Sequence, residues 1–237
     1  MTASPIQYGN SVTSLILVSR SQRPTLKLQL FQFQLSVKKL FMQKIQFHIK
    51  GESPLILHNG HLADPRNPFA KAIKAISGKR KKTDADFDEM ARLEFYASLY
   101  LSNGDLVIPD YVLEATFING AKKSKRGMDA KTALFFTEHA SLRFADKPCV
   151  IDDETINKLF AEGNHTHTAL VKVGTSKVSR TRAVFAEWEC VANALYDPDY
   201  LNFSAIQEIA SDAGRQVGIG DWRPKHGRFT VEVTEVN

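Results

Sequence analysis

The densest grouping of chemically useful side chains lies near the C-terminus, in Gly214-Arg-Gln-Val-Gly-Ile-Gly-Asp-Trp-Arg-Pro-Lys-His-Gly-Arg-Phe229. Four glycines, three arginines, a lysine, a histidine and a tryptophan fall within these sixteen residues. Gly218 and Gly220 permit positive φ and close approach of a backbone. Freed amides in such a turn would form a concavity for anions. Arg223, Lys225 and Arg228 supply positive charge, His226 a titratable ring, and Trp222 a face on which a base could stack. The segment is not a dinucleotide fingerprint, because it leads into a strand, whereas that motif follows a strand and opens a helix. It contains no Gly-Lys-Ser/Thr of a Walker loop. A purely structural turn, with Trp222 packed beneath it and the arginines solvated, is the plain alternative. The density of basic and aromatic residues favours a ligand site.

A second basic segment is Val171-Lys-Val-Gly-Thr-Ser-Lys-Val-Ser-Arg-Thr-Arg182. Lys177, Arg180 and Arg182 recur among hydroxyl side chains, which make good phosphate partners. On an extended chain Arg180 and Arg182 point to one face. They are expected to lie near the 218–228 loop and share its ligand. The alternative is a solvated edge strand whose charges block aggregation. The runs Lys79-Arg-Lys-Lys82 and Lys122 to Arg126 could grip a phosphate backbone, although single basic runs more often close helices.

The other reactive residues form no recognisable catalytic pattern. His58-Asn-Gly-His61 with Asp64 lacks a third ligand at a metal-site spacing. Cys149 and Cys190 have no context that selects a nucleophile, and read as small buried hydrophobes. No catalytic residue, metal or cofactor is expected. If the chain did cleave RNA without metal, His226 or His58 would be the candidate bases.

These segments need elements to position them. Gln43 to Lys50 alternates polar and apolar residues as a half-buried strand does. Residues 68–77 carry apolar positions at helical spacing between Pro68 and Gly78. Thr83 caps a helix over 84–98 expected to bury Phe87, Ala91 and Phe95. A hairpin turns at Ser102-Asn-Gly-Asp105. A helix over 109–123 and a shorter one over 128–136 lead to a strand at 140–144. Residues 146–170 read as irregular and 183–196 as β-like. Ser204-Ala-Ile-Gln207 forms a capping box for helix 204–214. The closing strand runs from Arg228 to Val236. With an insertion at about 54–107 set aside, the order is β-α-β-β-α-β. The fold class is therefore α+β: a ferredoxin-like antiparallel sheet with two helices on one face and a helical insertion after the first strand.

Residues 1–41 differ from the rest in having no Asp or Glu. They read as an N-terminal extension outside the core, with Met42 as the natural start. A transit peptide, or an added strand at Leu26 to Phe33, are the alternatives. The net charge is +5, but five basic residues sit in 1–41, and the other 26 Lys and Arg match the 26 Asp and Glu. The body 42–237 is formally neutral, so an electrostatic role must rest on local patches. Two cysteines suit a reducing compartment, and no apolar run is long enough to span a bilayer.

A glycine-rich loop between the last helix and last strand of such a domain resembles the RAMP superfamily, the RNA-binding and RNA-processing subunits of CRISPR systems. Ser53-Pro-Leu-Ile-Leu57 after the first strand resembles the start of those proteins. Gly-Ile-Gly-Asp-Trp-Arg-Pro-Lys-His-Gly-Arg-Phe also resembles uncharacterised bacteriophage and prophage proteins. The resemblance implies loop roles for Gly218, Gly220, Arg223 and Gly227. Taken with the residues, it implies a non-catalytic, cytoplasmic protein of phage or mobile-element origin in a bacterial host. Its expected partner is single-stranded nucleic acid, RNA before DNA, with other protein subunits or a second copy as further candidates. A metal-independent endoribonuclease on the same fold is one alternative. A phage protein that docks on or mimics a host complex is another.

Overall fold

The computed structural model describes residues 42–144 and 151–236. The expected extension 1–41 and Cys149 lie outside the described residues. The main sheet runs in the order β10-β1-β9-β6-β4-β3, with β5 also pairing β9. Its strands are β1 (Gln43–Gly51), β3 (Leu101–Ser102), β4 (Asp105–Ile108), β5 (Leu134–Phe136), β6 (Ala140–Arg143), β9 (Glu189–Tyr196) and β10 (Phe229–Val236). A second sheet orders β2 (Leu55–Ile56), β8 (Ser176–Phe185) and β7 (Thr166–Val173) as β2-β8-β7. The pairings are antiparallel. The fold is α+β.

The alternation of β1 decides which way it faces. Ile45, Phe47 and Ile49 are buried, while Lys44, His48 and Lys50 are exposed. Helix α3 (Asp110–Ala121) covers the buried face, and its Phe117 ring stands 4.8 Å from that of Phe47. Helix α6 (Phe203–Asp212) adds Ile206 and Ile209 to the same core. Each such side chain contributes about 1.5–3 kcal/mol when removed from water. The remaining helices are α1 (Pro68–Ser77), α2 (Asp84–Ser98), α4 (Gly127–Ala133) and α5 (Asp153–Glu162).

Local chemistry fixes the helix starts. The Asn67 side chain caps α1, with Pro68 in its first turn. Thr83 and Asp86 form a reciprocal capping box at α2. Asp152 caps α5, and Gly163 ends it in the left-handed conformation.

Several expectations are corrected. Residues 146–170 contain α5 and most of β7. The helix expected over 128–136 stops at Ala133, because Leu134, Phe135 and Phe136 pair with Tyr196, Leu195 and Ala194. The β-like stretch from 183 is the end of β8 followed by β9, and β8 itself begins at Ser176. Helix α6 is capped by Asn202, whose side chain accepts from the Ala205 amide, not by a box at Ser204. On α2 Phe95 is buried as expected, but Phe87 is 50% exposed and Ala91 half-buried, since the helix turns Glu94, Ala97 and Ser98 inward instead.

Strand β8 is not a solvated edge. β7 pairs one side, and β2 covers the C-terminal end of the other, at Val184 and Phe185. Past the end of β2, helix α2 takes over. The Glu94 carboxylate accepts from the Thr181 amide at 2.8 Å, and Ser98 Oγ accepts from the Ala183 amide at 2.9 Å. The one-turn spacing on the helix matches the two-residue spacing of amides on one strand edge. Two side chains thus satisfy donors that would otherwise be buried without partners.

Candidate functional site

The glycine-rich loop leaves a tight turn at Ala213–Val217 and enters β10. It is stitched to the segment before and along β2. The Asp221 amide donates to Ile56 O at 2.8 Å, the Gly227 amide to Pro54 O at 2.9 Å, and the Arg228 amide to Ser53 Oγ at 2.9 Å. The loop also closes on itself through the Ile219 amide and Gly227 O at 2.8 Å. Gly220 and Gly227 permit this close fit. A Cβ at Gly220 would lie 2.3 Å from Ile56 O, and one at Gly227 would lie 1.7 Å from Ile219 O.

This alters the expected role of the glycines. The amides of Gly218, Ile219, Asp221, His226, Gly227 and Arg228 all donate to the protein's own acceptors. They are not a set of freed donors for an anion, and the backbone that Gly220 approaches is that of β2. What the loop offers outward is its tip, where Trp222, Arg223, Pro224 and Lys225 are exposed.

Arg182 on β8 forms an ion pair with Asp221 of the loop. Its register partner on β7 is His167. The His167 ring meets Trp222 edge-on at 4.9 Å and lies 6.2 Å from the His226 ring. Strands β7 and β8 therefore deliver His167 and Arg182 to the loop. Arg180, two residues back, turns to α2, and its Nη1 lies 2.5 Å from Glu94 Oε1. Lys177 stands near the hairpin tip, paired in register with Lys172. That is five residues from Arg182, roughly 16 Å along an extended strand, so it is not brought to the loop. Arg228 is exposed, with its backbone bound to Ser53. Of the two basic runs, Lys79 pairs with Asp86.

Lys122 and Lys123, at the end of α3, line an open depression of about 760 Å3 together with Gln216, Trp222 and Arg223. A smaller hollow of about 290 Å3 adjoins it, bounded by His58, Tyr100, Tyr111, Asp221 and Arg223. On its other side His58 borders a cavity of about 480 Å3, also lined by Arg180, Arg182 and Glu94. Shared residues make the three recesses one surface. His58 stands at one junction, and Gly220, Asp221 and Arg223 at the other.

Burial, and then the Arg182 charge, push the His58 imidazole below its ordinary value. Burial, then Lys225 and His167, do the same to His226. Tyr100 donates to His58 O at 2.7 Å. Burial, with Tyr111 beside it, pushes the Tyr100 hydroxyl up to about 12. Cys190 is buried and its thiol is pushed up to about 12, which leaves it unreactive at neutral pH. Among the described residues, no three His, Cys, Asp or Glu side chains gather as a metal site would require. Asp64 instead pairs with Arg66. No helix among them is long and apolar enough to cross a membrane.

No family model matches the sequence. No curated protein matches it either. Among solved structures, a chain of the cryo-EM structure of the Type III-B Cmr-beta bound to cognate target RNA is similar, with a TM-score of 0.44 and 10% identity. The match covers 89% of this chain and 67% of that one. At that score and identity the likeness bears on neither substrate nor activity.

Proposed function

We propose that this chain binds single-stranded nucleic acid, RNA in preference to DNA, and performs no chemistry on it. The observation that supports this best is the convergence of Lys122, Lys123, Arg223 and Trp222 on one open depression. Basic side chains from two separate parts of the chain, beside an exposed aromatic ring, are the parts of a backbone-and-base recognition surface. The preference for RNA follows from a RAMP-like frame. The strand order β10-β1-β9-β6, with α3 and α6 on one face, is compatible with the split β-α-β arrangement of a ferredoxin-like fold. The loop lies between its last helix and last strand.

A second reading is an interaction protein that binds no nucleic acid. It draws on the ion pairs of Arg180 with Glu94 and Arg182 with Asp221, which offset charge on the same surface. Fluorescence anisotropy with a labelled oligoribonucleotide at several salt concentrations tests the two. The wild type binds, and a Lys122→Ala, Lys123→Ala, Arg223→Ala triple variant binds more weakly to every sequence. Its log–log salt slope falls by roughly 0.7 for each phosphate that the protein no longer neutralises. An unchanged slope, or no binding by the wild type at low salt, leaves the interaction protein as the better reading. Recovery of intact oligonucleotide, with and without chelator, separates binding from cleavage.

A further inference from the structure

We propose that the cavity between α1, α2 and β8 receives a single nucleotide, its base against the apolar wall and its phosphate toward the arginines. This deepens the nucleic-acid reading and rests on it. The cavity measures about 480 Å3, within the range of sites that enclose small ligands, roughly 300–1,000 Å3. It is two-sided. Leu62, Ala63, Ala70 and Ile73 supply an apolar wall from the turn at Gly60–Ala63 and from α1. The opposite wall carries Glu94, Arg180 and Arg182. Lys74 adds a third cation at the lining. Glu94 and Asp221 offset the two arginines, which leaves one positive charge in excess and favours an anionic ligand.

The cationic wall is fixed before any ligand arrives. Glu94 is 6% exposed and holds both the Arg180 guanidinium and the Thr181 amide. Asp221 holds Arg182 from the loop side. A guanidinium has five N–H donors, so a single ion pair leaves donors for a phosphate or a base edge. Side chains already held in place lose less freedom on binding. The position matters as much as the chemistry. Arg182 and His58 border this cavity, while His58 and Asp221 border the hollow under the glycine loop. A strand lying along the loop would pass the mouth of the cavity and could turn one nucleotide into it.

Two sources could supply that nucleotide: a residue of the bound strand, or a free mononucleotide. Filling the cavity tests both. Ala70→Phe fills it from α1, a helix with no fully buried residue, and Ala63→Phe fills it from the turn. Neither touches the loop, Lys122, Lys123 or Arg223. Melting temperature verifies that both variants fold. The first probe is a set of oligoribonucleotides, each with one abasic position. With wild-type protein, one position should weaken binding roughly five- to a hundredfold, the range expected when one bound base is removed. Both filled variants should bind the intact oligonucleotide weaker by a similar factor and show no positional effect. The second probe is AMP, GMP, CMP and UMP by calorimetry. Saturable binding that both variants abolish, without a positional effect, would also support the pocket and make a free nucleotide its occupant. No positional effect, no mononucleotide binding and full affinity in both variants would overturn the pocket. The salt-slope experiment would still stand or fall by itself.

Discussion

Arg182 and Asp221 form an ion pair that ties strand β8 to the glycine-rich loop, with side chains 15% and 26% exposed. Asp221 is held from its backbone as well, by the amide bond to Ile56 O. The pair is largely shielded, so removing one partner strands a charge in poor solvent. Arg182→Met is expected to lower stability by about 1–3 kcal/mol. Arg182→Met with Asp221→Asn should recover part of that loss. A double-mutant cycle by urea denaturation measures the coupling. Additive losses would mean that the pair does not hold the loop.

The close packing of the loop on β2 makes a second prediction. Gly220 and Gly227 have φ of +82° and +70°, and added Cβ atoms would strike backbone oxygens. Backbone cannot swing aside as a side-chain tip does. Gly220→Ala and Gly227→Ala should each destabilise the fold by more than about 2 kcal/mol. Gly174 supplies the control. Its φ is +61°, but a Cβ there meets nothing within 4 Å, so Gly174→Ala should cost only about 1 kcal/mol. Thermal melts of the three variants test the contrast. Equal losses would show that only the dihedral, and not the steric clash, sets the cost.

How far the sequence reaches can be seen at particular residues. Helices α1 and α2 follow their caps, because Asn67, Pro68, Thr83 and Asp86 act within a few residues of themselves. The hairpin at Asn103-Gly104 is equally local, and both residues have positive φ. Leu134 to Phe136 is strand only because β9 lies beside it, and such pairing is set by tertiary contact. The role of Glu94 is hidden in the sequence for a related reason. A carboxylate on an apolar helix face looks solvated until β8 arrives with an amide and an arginine. The candidate site is partly legible. Composition marks the loop and Arg182, whereas Lys122 and Lys123 join them only by folding. Asp221 lies within the marked motif, but its partner stands on a distant strand.

Two histidines give the surface a pH response. His58 and His226 both have lowered values, mainly through burial. Arg182 lowers His58 further while Asp221 opposes it, and Lys225 and His167 lower His226 further. The unfolded chain, with ordinary histidines at 6.5, takes up protons at a higher pH than the folded one. The stability that the neutral rings contribute is present above that value. It is lost as pH falls through the lowered folded values. The melting temperature should therefore drop on acidification from about pH 7.5 to about pH 5. His58→Gln combined with His226→Gln should flatten that drop. An equal drop in the double variant would assign the acid response to other groups.

Trp222 supplies the sharpest separation of binding from folding. Its side chain is exposed, and its φ is +56°. A bulky residue in the left-handed region costs about 1 kcal/mol relative to glycine. Its close ring neighbour among the described residues is His167, edge-on, with His226 farther off at 6.0 Å. Trp222 is 38% exposed, so the packing lost with the ring is partial and is offset by relief of the dihedral cost, and Trp222→Gly should lower the melting temperature only slightly. If a base stacks on the indole, the same substitution should weaken oligoribonucleotide binding by about 1–3 kcal/mol. Trp222→Phe keeps an aromatic face and should restore part of the affinity. Trp222→Ala, which keeps the dihedral cost without the ring, should bind as poorly as the glycine variant. Anisotropy and thermal melts on the three variants decide the matter. Affinity that ignores all three substitutions would exclude Trp222 as a stacking platform, and a large fall in melting temperature would make the ring a structural element.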